Sequence, residues 1–426
     1  MNPAAGETTA STALMMEQSA SAVDAAQPVR PQSGSSRFSG WKLAFAVCLA
    51  ACGGVGLWCW HISYLHSLVS LHQECRKLSA QEHWDELAVR AEQWAKLEPN
   101  KADPWLFSAE AAEGQQDWNQ LVEVLSRVPP SDRRAPVSWL RKATVEFEYL
   151  NRPWDGIRSC DRVLELDPRI LIAHKQSIFF HAMTLQRAEL VSRIRRAIEV
   201  RRESPEAYVF LISATWLYSG SLYRHNTHWL EADHSNETFR VAQALQIYAS
   251  DAKQDREFAN EFEHIPTPET LLEQYPHNLE LVAFLLKQSI SSGDVDRVEE
   301  LLERIPTELA ERDPRCIYAR AWLQETSGAF ADAEISLMRA YALDPYWWQV
   351  HYQLHDLMRR MGRKDESAHY LRIYEVSHDL AIQITRLNRS ENGFDDPKFC
   401  AALLKLAELV QDKPVIAALR ERVAAR

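Results

Sequence analysis

The chain has 426 residues, with 48 Lys and Arg against 59 Asp and Glu, so its formal net charge is −11. Because binding to phosphate backbones needs a positively charged surface, this balance argues against nucleic acid as the main partner. Glycine accounts for only 13 residues, about 3 per cent against a usual ~7 per cent. Few glycines mean few tight turns, which disfavours β-sandwiches and glycine-rich phosphate loops and favours a helical protein.

The first forty residues are rich in Ala, Ser, Gln, Gly, Pro and Thr, and their one aromatic residue is Phe38. Such a segment buries too little apolar surface to offset the entropy lost on ordering. We therefore predict a disordered tail over residues 1–40. A plain tether is favoured over a docking or regulatory tail.

Residues 43–60 carry no charge and read LAFAVCLAACGGVGLWCW. Eighteen helical residues span about 27 Å, close to the ~30 Å hydrocarbon core of a bilayer. This pattern predicts one transmembrane helix over residues 41–65, anchored through residues 43–60. Three Lys or Arg precede the segment and two follow it closely, which predicts a single-pass protein with a cytoplasmic N-terminus and residues 66–426 extracytoplasmic.

The same segment allows two further interpretations. Leu49-Ala50-Ala51-Cys52 resembles the lipobox of bacterial lipoproteins, in which Cys52 would be lipidated, but the apolar run continues eight residues beyond it. Cys48, Cys52 and Gly56 are spaced four apart and share one helix face, where small residues permit close helix approach. A homodimer through the transmembrane helix is therefore one expectation, beside ordinary lipid-facing packing.

Beyond residue 80 the hydrophobic pattern is helical and recurrent. Gly293, Gly328 and Gly362 are spaced 35 and 34 residues apart, each between two segments of helical periodicity. Three units share a similar pattern of small and large apolar residues followed by a closing proline. They are GAFADAEISLMRAYALDP (328–345), NRPWDGIRSCDRVLELDP (151–168) and HWDELAVRAEQWAKLEP (83–99).

These units resemble the second helix of tetratricopeptide (TPR) repeats, which are 34-residue helix–turn–helix units with small residues at the crossing points. The resemblance covers roughly residues 80–205 and 277–378. The signature Trp and Gly-Tyr of the first helix are mostly absent, and the spacing stretches between Gly114 and Asn151. The resemblance implies an all-α fold, an α-solenoid of degenerate TPR-like repeats, with a concave groove lined by the first helices.

We divide the chain according to this interpretation. After the tail and the transmembrane helix come an N-terminal TPR-like block (66–205), an irregular helical insertion or stretched repeat (206–276), a C-terminal TPR-like block (277–378) and C-terminal capping helices (379–426). Terminal repeats need a polar outer face, which the amphipathic last helices provide.

The predicted groove residues are aromatic, amide and charged side chains at helical spacing on first helices. Aromatic rings supply buried area, while amides and guanidinium groups satisfy a peptide backbone or carboxylate. The alternative is that the rings pack between repeats and the charges are solvated. This alternative is favoured for Arg141 and Lys142. The set is Arg315, Tyr318, Trp322, Gln349, Tyr352, Gln353, Asp356, Arg141 and Lys142.

One stretch offers weak metal-ligand candidates, namely His225, His228, Glu231 and His234. Spacings of three place such side chains on one helix face, which suits zinc, although a solvated polar loop is the favoured interpretation. No Walker loop, GxSxG, GxGxxG or CxxC occurs, so we expect no cofactor and no catalytic residue.

The sequence therefore favours a membrane-anchored, non-catalytic scaffold that binds a protein or peptide partner in its concave groove. The alternatives are a metal-dependent hydrolase with its site in the 206–276 region and a lipoprotein anchored through Cys52.

Overall fold

The computed structural model describes residues 39–213, 217–218, 222–249, 264–387 and 396–424. Side chains at 39–44, 46–53 and 385–387 also lie outside this description. The tail predicted over residues 1–40 therefore falls almost wholly outside the described residues.

The described residues are all-α, as predicted, and their elements are 21 helices with no strand. The first twelve helices are α1 Ser39–Ala80, α2 Trp84–Leu97, α3 Ala102–Gly114, α4 Trp118–Ser126, α5 Ala135–Glu148, α6 Pro153–Leu166, α7 Leu171–Met183, α8 Arg187–Glu199, α9 Pro205–Ile212, α10 Tyr223–Ala232, α11 Glu237–Ala249 and α12 Pro268–Gln274. The others are α13 Leu279–Ser292, α14 Val295–Glu303, α15 Thr307–Ala310, α16 Pro314–Thr326, α17 Phe330–Leu343, α18 Trp348–Arg360, α19 Lys364–Leu387, α20 Pro397–Leu409 and α21 Lys413–Ala424.

The chain forms two compact units, residues 1–67 and 68–426. The described part of the first unit is the N-terminal portion of α1. The second unit contains the end of α1 and all the other helices.

The predicted single-pass membrane localisation is wrong. In the part of the chain that is described, no helix is long and apolar enough to cross a bilayer. The predicted orientation falls with the localisation. The predicted anchor and the dimer through it find no support among the described residues, and the side chain of Cys52 lies outside them.

The turns inside the helix pairs show the repeat most clearly. Gly293, Gly328 and Gly362 adopt φ of 76°, 81° and 77°, each between two paired helices. Glu82, Gln116, Asn151 and Leu185 hold the corresponding turns of the N-terminal pairs with φ between 50° and 58°. Positive-φ residues therefore recur every 34 or 35 residues in both blocks, including the interval where the sequence spacing is stretched.

Small residues lie where neighbouring helices cross, both within a pair (α5 and α6) and between successive pairs (α2 and α3). A Cβ added at Gly156 of α6 would come within 2.7 Å of the Phe147 ring on α5, and one at Gly114 of α3 within 2.3 Å of Trp84 on α2. The absence of a side chain thus allows a large ring to lie directly against the neighbouring backbone. The chain is a TPR-like array of helix pairs over these residues.

The core is divided unequally along the second unit. The N-terminal helix pairs have small separate clusters, such as Leu121, Val124 and Leu125 of α4 packed with Ala109 of α3. From α7 onward a single buried cluster continues through α21. Neighbouring C-terminal elements therefore share one core.

Helix α9 lies inside this shared core. Its residues Ala207–Ile212 are all buried, and it packs against α7, α8 and α19. A helix that is apolar on every side is typical of a fully enclosed element. The chain thus fills part of its own interior with α9.

Contacts between α8 and the C-terminal helices hold this region together. Arg195 pairs with Asp412 and Arg201 pairs with Glu421, across more than 200 residues of sequence. Tyr346 Oη donates to Asp412 Oδ2 at 2.9 Å. The last helices therefore pack back onto α8. The domain boundaries given above stay a prediction.

Candidate functional site

A pocket of about 500 Å³ opens between α13, α16 and the start of α18. These are the first helices of three successive pairs, since each precedes a positive-φ glycine turn. Aromatic and aliphatic side chains form most of its walls, and Tyr218 and Ala249 close one side. The described lining residues are Arg187, Tyr218, Ala249, Ala283, Phe284, Leu286, Lys287, Ile290, Ser291, Arg315, Tyr318, Trp347, Trp348 and Gln349.

The back of the pocket contains a buried ion-pair cluster around Arg315. Its guanidinium donates to Glu280 Oε2 at 2.5 Å and Oε1 at 2.7 Å, and to Asp313 Oδ2 at 2.7 Å. Burial alone would lower the pKa of Arg315, but the two carboxylates raise it well above its usual value. Arg315 is therefore a permanent cation whose charge is already matched, and it fixes α16 against α13.

A second cation, Arg187 of α8, also faces the pocket and carries its own partner. Its Nη2 lies 3.3 Å from Asp344 Oδ2, and both side chains are 18 % exposed. Lys287 of α13 is different, because it is exposed and no carboxylate of the described residues pairs with it. No acidic residue belongs to the described lining. Among the described lining residues, Lys287 thus carries the one positive charge without a carboxylate partner.

Gln349, which also lines the pocket, has a side-chain hydrogen-bond acceptor without a partner among the described residues. Its Oε1 is buried and has no hydrogen-bond partner among the described residues. A buried polar atom without a partner is costly, by about 1–3 kcal/mol. A ligand or partner N–H entering the pocket would satisfy it.

An array of aromatic rings continues from the pocket along α18 and α19. We call Trp348, Tyr352, Tyr374 and His378 the aromatic ledge. The Trp348 and His378 ring centroids are 5.2 Å apart, those of His378 and Tyr374 5.4 Å, and those of Tyr374 and Tyr352 5.2 Å. Each helix contributes two rings at i, i+4, which places them on one face.

The ledge is partly open to solvent. Tyr352 is 49 % exposed, and the other three rings are half-buried. Half-buried aromatic side chains combine apolar area with a polar tip, a combination enriched at protein interfaces. The ledge begins at Trp348, which also lines the pocket.

The structure separates the predicted groove residues into four groups, the first of which lines the pocket and includes Arg315. Tyr318 and Gln349 line the pocket, and the Tyr318 ring lies 5.0 Å from that of Trp347. Burial and nearby Glu325 raise the pKa of Tyr318 to about 12, so it is neutral at physiological pH. Tyr352 belongs to the ledge, and Trp322 packs against the core.

The remaining predicted polar residues are engaged within the chain. Gln353 Nε2 donates to Glu325 Oε1 at 2.8 Å, and Asp356 pairs with the two arginines that follow it on α18. Arg141 pairs with Glu113, and Lys142 pairs with Glu146 and donates to Ser159 Oγ at 3.1 Å. The contacts of Gln353 with Glu325, Arg141 with Glu113 and Lys142 with Ser159 join different helices, whereas Asp356 and its two arginines lie on the same helix.

The four metal-ligand candidates do not form a metal site in the part of the chain that is described. His228 Nδ1 lies 3.1 Å from Glu231 Oε2 on the surface of α10, and the His225 ring packs 6.1 Å from that of Trp229. No group of three or more His, Cys, Asp or Glu among the described residues could hold a metal ion.

Sequence reasoning missed most of the pocket and half of the ledge. Phe284, Lys287, Trp347, Tyr374 and His378 were not singled out. Tyr374 and His378 lie on a second helix, α19, whereas the search was confined to first helices. Their i, i+4 spacing was the available signal.

Comparisons with known proteins give no family assignment. No protein-family model matches the chain, and no curated protein matches it. Among solved structures, a TPR protein from Parabacteroides merdae is 10 % identical over 65 % of this chain and 93 % of that chain, with a TM-score of 0.24. Yeast Tom70 is 12 % identical over 84 % and 76 %, with a TM-score of 0.24. A human IFIT1 dimer with PPP-AAAA is 14 % identical over 81 % and 94 %, with a TM-score of 0.27.

Identities and TM-scores this low say nothing about a ligand, a partner or an activity. The TPR-like interpretation of the fold rests on the chain's own recurring turns and helix crossings.

Proposed function

We propose that the chain is a non-catalytic scaffold that binds a protein or peptide partner on the aromatic ledge. The observation that carries this proposal is the contiguous, half-exposed set of rings on α18 and α19, which begins at a pocket. Aromatic anchors of this kind account for much of the binding energy at protein interfaces.

The first helices on which the pocket lies are held rigidly, which favours a binding surface over a mobile loop. Arg315 ties α16 to α13, and the bond between Gln353 and Glu325 ties α18 to α16. Rigid presentation of anchors lowers the entropy lost on binding. Arg315 and Gln353 thus fix the helices that carry the site, and the rings supply its contact area.

The test compares the proteins that co-purify with three forms of the full chain. Tyr352→Ala and Tyr374→Ala together remove half of the ledge. Ile335→Ala removes a side chain that is 70 % exposed on α17 and serves as the matched control. Circular dichroism and a thermal melt check that all three forms fold alike.

We expect the double variant to lose the specific partners that the wild type and Ile335→Ala retain. Equal recovery of every partner by all three forms would refute the assignment of the ledge.

A further inference from the structure

The charge of the pocket differs from that of the whole molecule. The chain carries a net charge of −11, yet the described residues that line the pocket include three cations and no acid. Two of these cations, Arg187 and Arg315, are already neutralised by carboxylates outside the lining. Of the three, only Lys287 has no carboxylate partner among the described residues, so its ammonium group is the one that we expect to pair with a ligand.

The walls around this charge are apolar and largely aromatic. Phe284 and Ile290 of α13 line the pocket together with Tyr318, Trp347 and Trp348. A volume of about 500 Å³ lies within the range of roughly 300–1,000 Å³ typical of small-molecule sites. An apolar enclosure with one or a few placed polar groups is the usual composition of such sites.

We propose that this pocket binds a small organic acid, in which a single carboxylate is carried on an aromatic or branched apolar body. The carboxylate pairs with Lys287, and the body packs against the rings of Tyr318 and Trp348. One unshared cation matches one negative charge, which favours a monocarboxylate over a phosphate dianion. This site goes beyond the proposed scaffold function, although Trp348 connects it to the ledge.

The same chemistry could come from an acidic side chain beside an aromatic one in a partner protein. A free acid is favoured because the pocket is a cavity of small-molecule size. The experiment therefore includes a peptide arm.

The test uses the full chain and measures dissociation constants by isothermal titration calorimetry with three probes. The first probe is 2-naphthoate, and the second is 2-naphthamide, which has nearly the same shape without the charge. The third is the dipeptide acetyl-Asp-Phe-amide, which presents the acid on a peptide. Lys287→Met keeps most of the side-chain length and removes the charge, whereas Lys287→Arg keeps the charge. Lys405→Met removes an exposed lysine of α20 and is the matched control.

We expect 2-naphthoate to bind at least about tenfold more tightly than 2-naphthamide, because only the acid forms a charge-assisted hydrogen bond. Lys287→Met should weaken naphthoate binding by about tenfold and leave naphthamide binding unchanged. Lys287→Arg and Lys405→Met should bind naphthoate like the wild type.

Three outcomes would overturn the proposal. These are equal affinities for the acid and the amide, naphthoate affinity unchanged by Lys287→Met, and binding of the dipeptide without binding of naphthoate. The last outcome would assign the pocket to a partner's side chain. Loss of the ledge function in the co-purification test would leave the naphthoate result unaffected, so the two proposals fail independently.

Discussion

Replacing Asp412 with alanine removes the acceptor on which two distant parts of the chain converge. Asp412 Oδ2 accepts from Arg195 of α8 and from the Tyr346 hydroxyl, and its Oδ1 lies 3.3 Å from the Val415 amide at the start of α21. The carboxylate side chain is only 7 % exposed. The Asp412→Ala variant would leave a buried hydroxyl, a half-buried guanidinium and a helix N-terminus without their common partner.

The magnitude follows from these three losses. Breaking a buried ion pair by removing one partner costs about 3–5 kcal/mol. The Arg195 side chain is 30 % exposed, so water can solvate part of it and the lower end of that range applies. Loss of the N-terminal cap adds about 1 kcal/mol. The buried Tyr346 hydroxyl left without its acceptor adds about 1 kcal/mol more. We therefore expect the free energy of unfolding to fall by about 5 kcal/mol.

The assay is urea unfolding followed by circular dichroism, with hydrogen exchange to locate the effect. The control is Asp332→Ala, an exposed carboxylate in the first turn of α17, which should change stability by no more than about 0.5 kcal/mol. Exchange should rise in α8, α9 and α21 of Asp412→Ala. Equal midpoints for the two variants, or unchanged exchange in these helices, would refute the idea that this contact closes the C-terminal region.

Two further predictions concern the turns and the buried histidines. Gly328→Ala should lower the free energy of unfolding by about 1–2 kcal/mol. Backbone strain at φ 81° alone causes this loss, since nothing lies within 4 Å of the added Cβ. Gln116→Gly, at an exposed residue with φ 58°, should instead raise the urea midpoint. Burial lowers the pKa of His351 to about 4, so the unfolded chain binds an extra proton between about pH 4 and 6.5. The contribution of His351 to the free energy of unfolding should be complete above pH 6.5. It should fall by about 1.4 kcal/mol per pH unit between pH 6.5 and about pH 4. His351→Gln should flatten that acid limb in urea titrations, whereas the exposed His83→Gln should not; parallel limbs would contradict the argument.

The candidate site was only partly accessible to sequence reasoning. Tyr318 and Gln349, which helical spacing selected, lie at the pocket, and Tyr352 lies on the ledge, because helical spacing fixes which side chains share a face. Their role in binding stays a prediction. Arg315 was selected for the same reason, but its charge is neutralised by ion pairs with Glu280 and Asp313. Spacing within one helix cannot reveal a partner that is 35 residues away.

The pattern of apolar residues determined the all-α fold and the paired helices, since 3.6-residue periodicity and proline endings are local properties of the chain. From the sequence, the turns inside the helix pairs could be located only where they contain glycine. The turns at Gln116, Asn151 and Leu185 hold the same left-handed backbone without that signal, because tertiary packing on both sides compensates the local strain. Tertiary structure also decided that α9 is buried and that α21 returns to α8. Both depend on contacts between residues far apart in sequence, which no local pattern specifies.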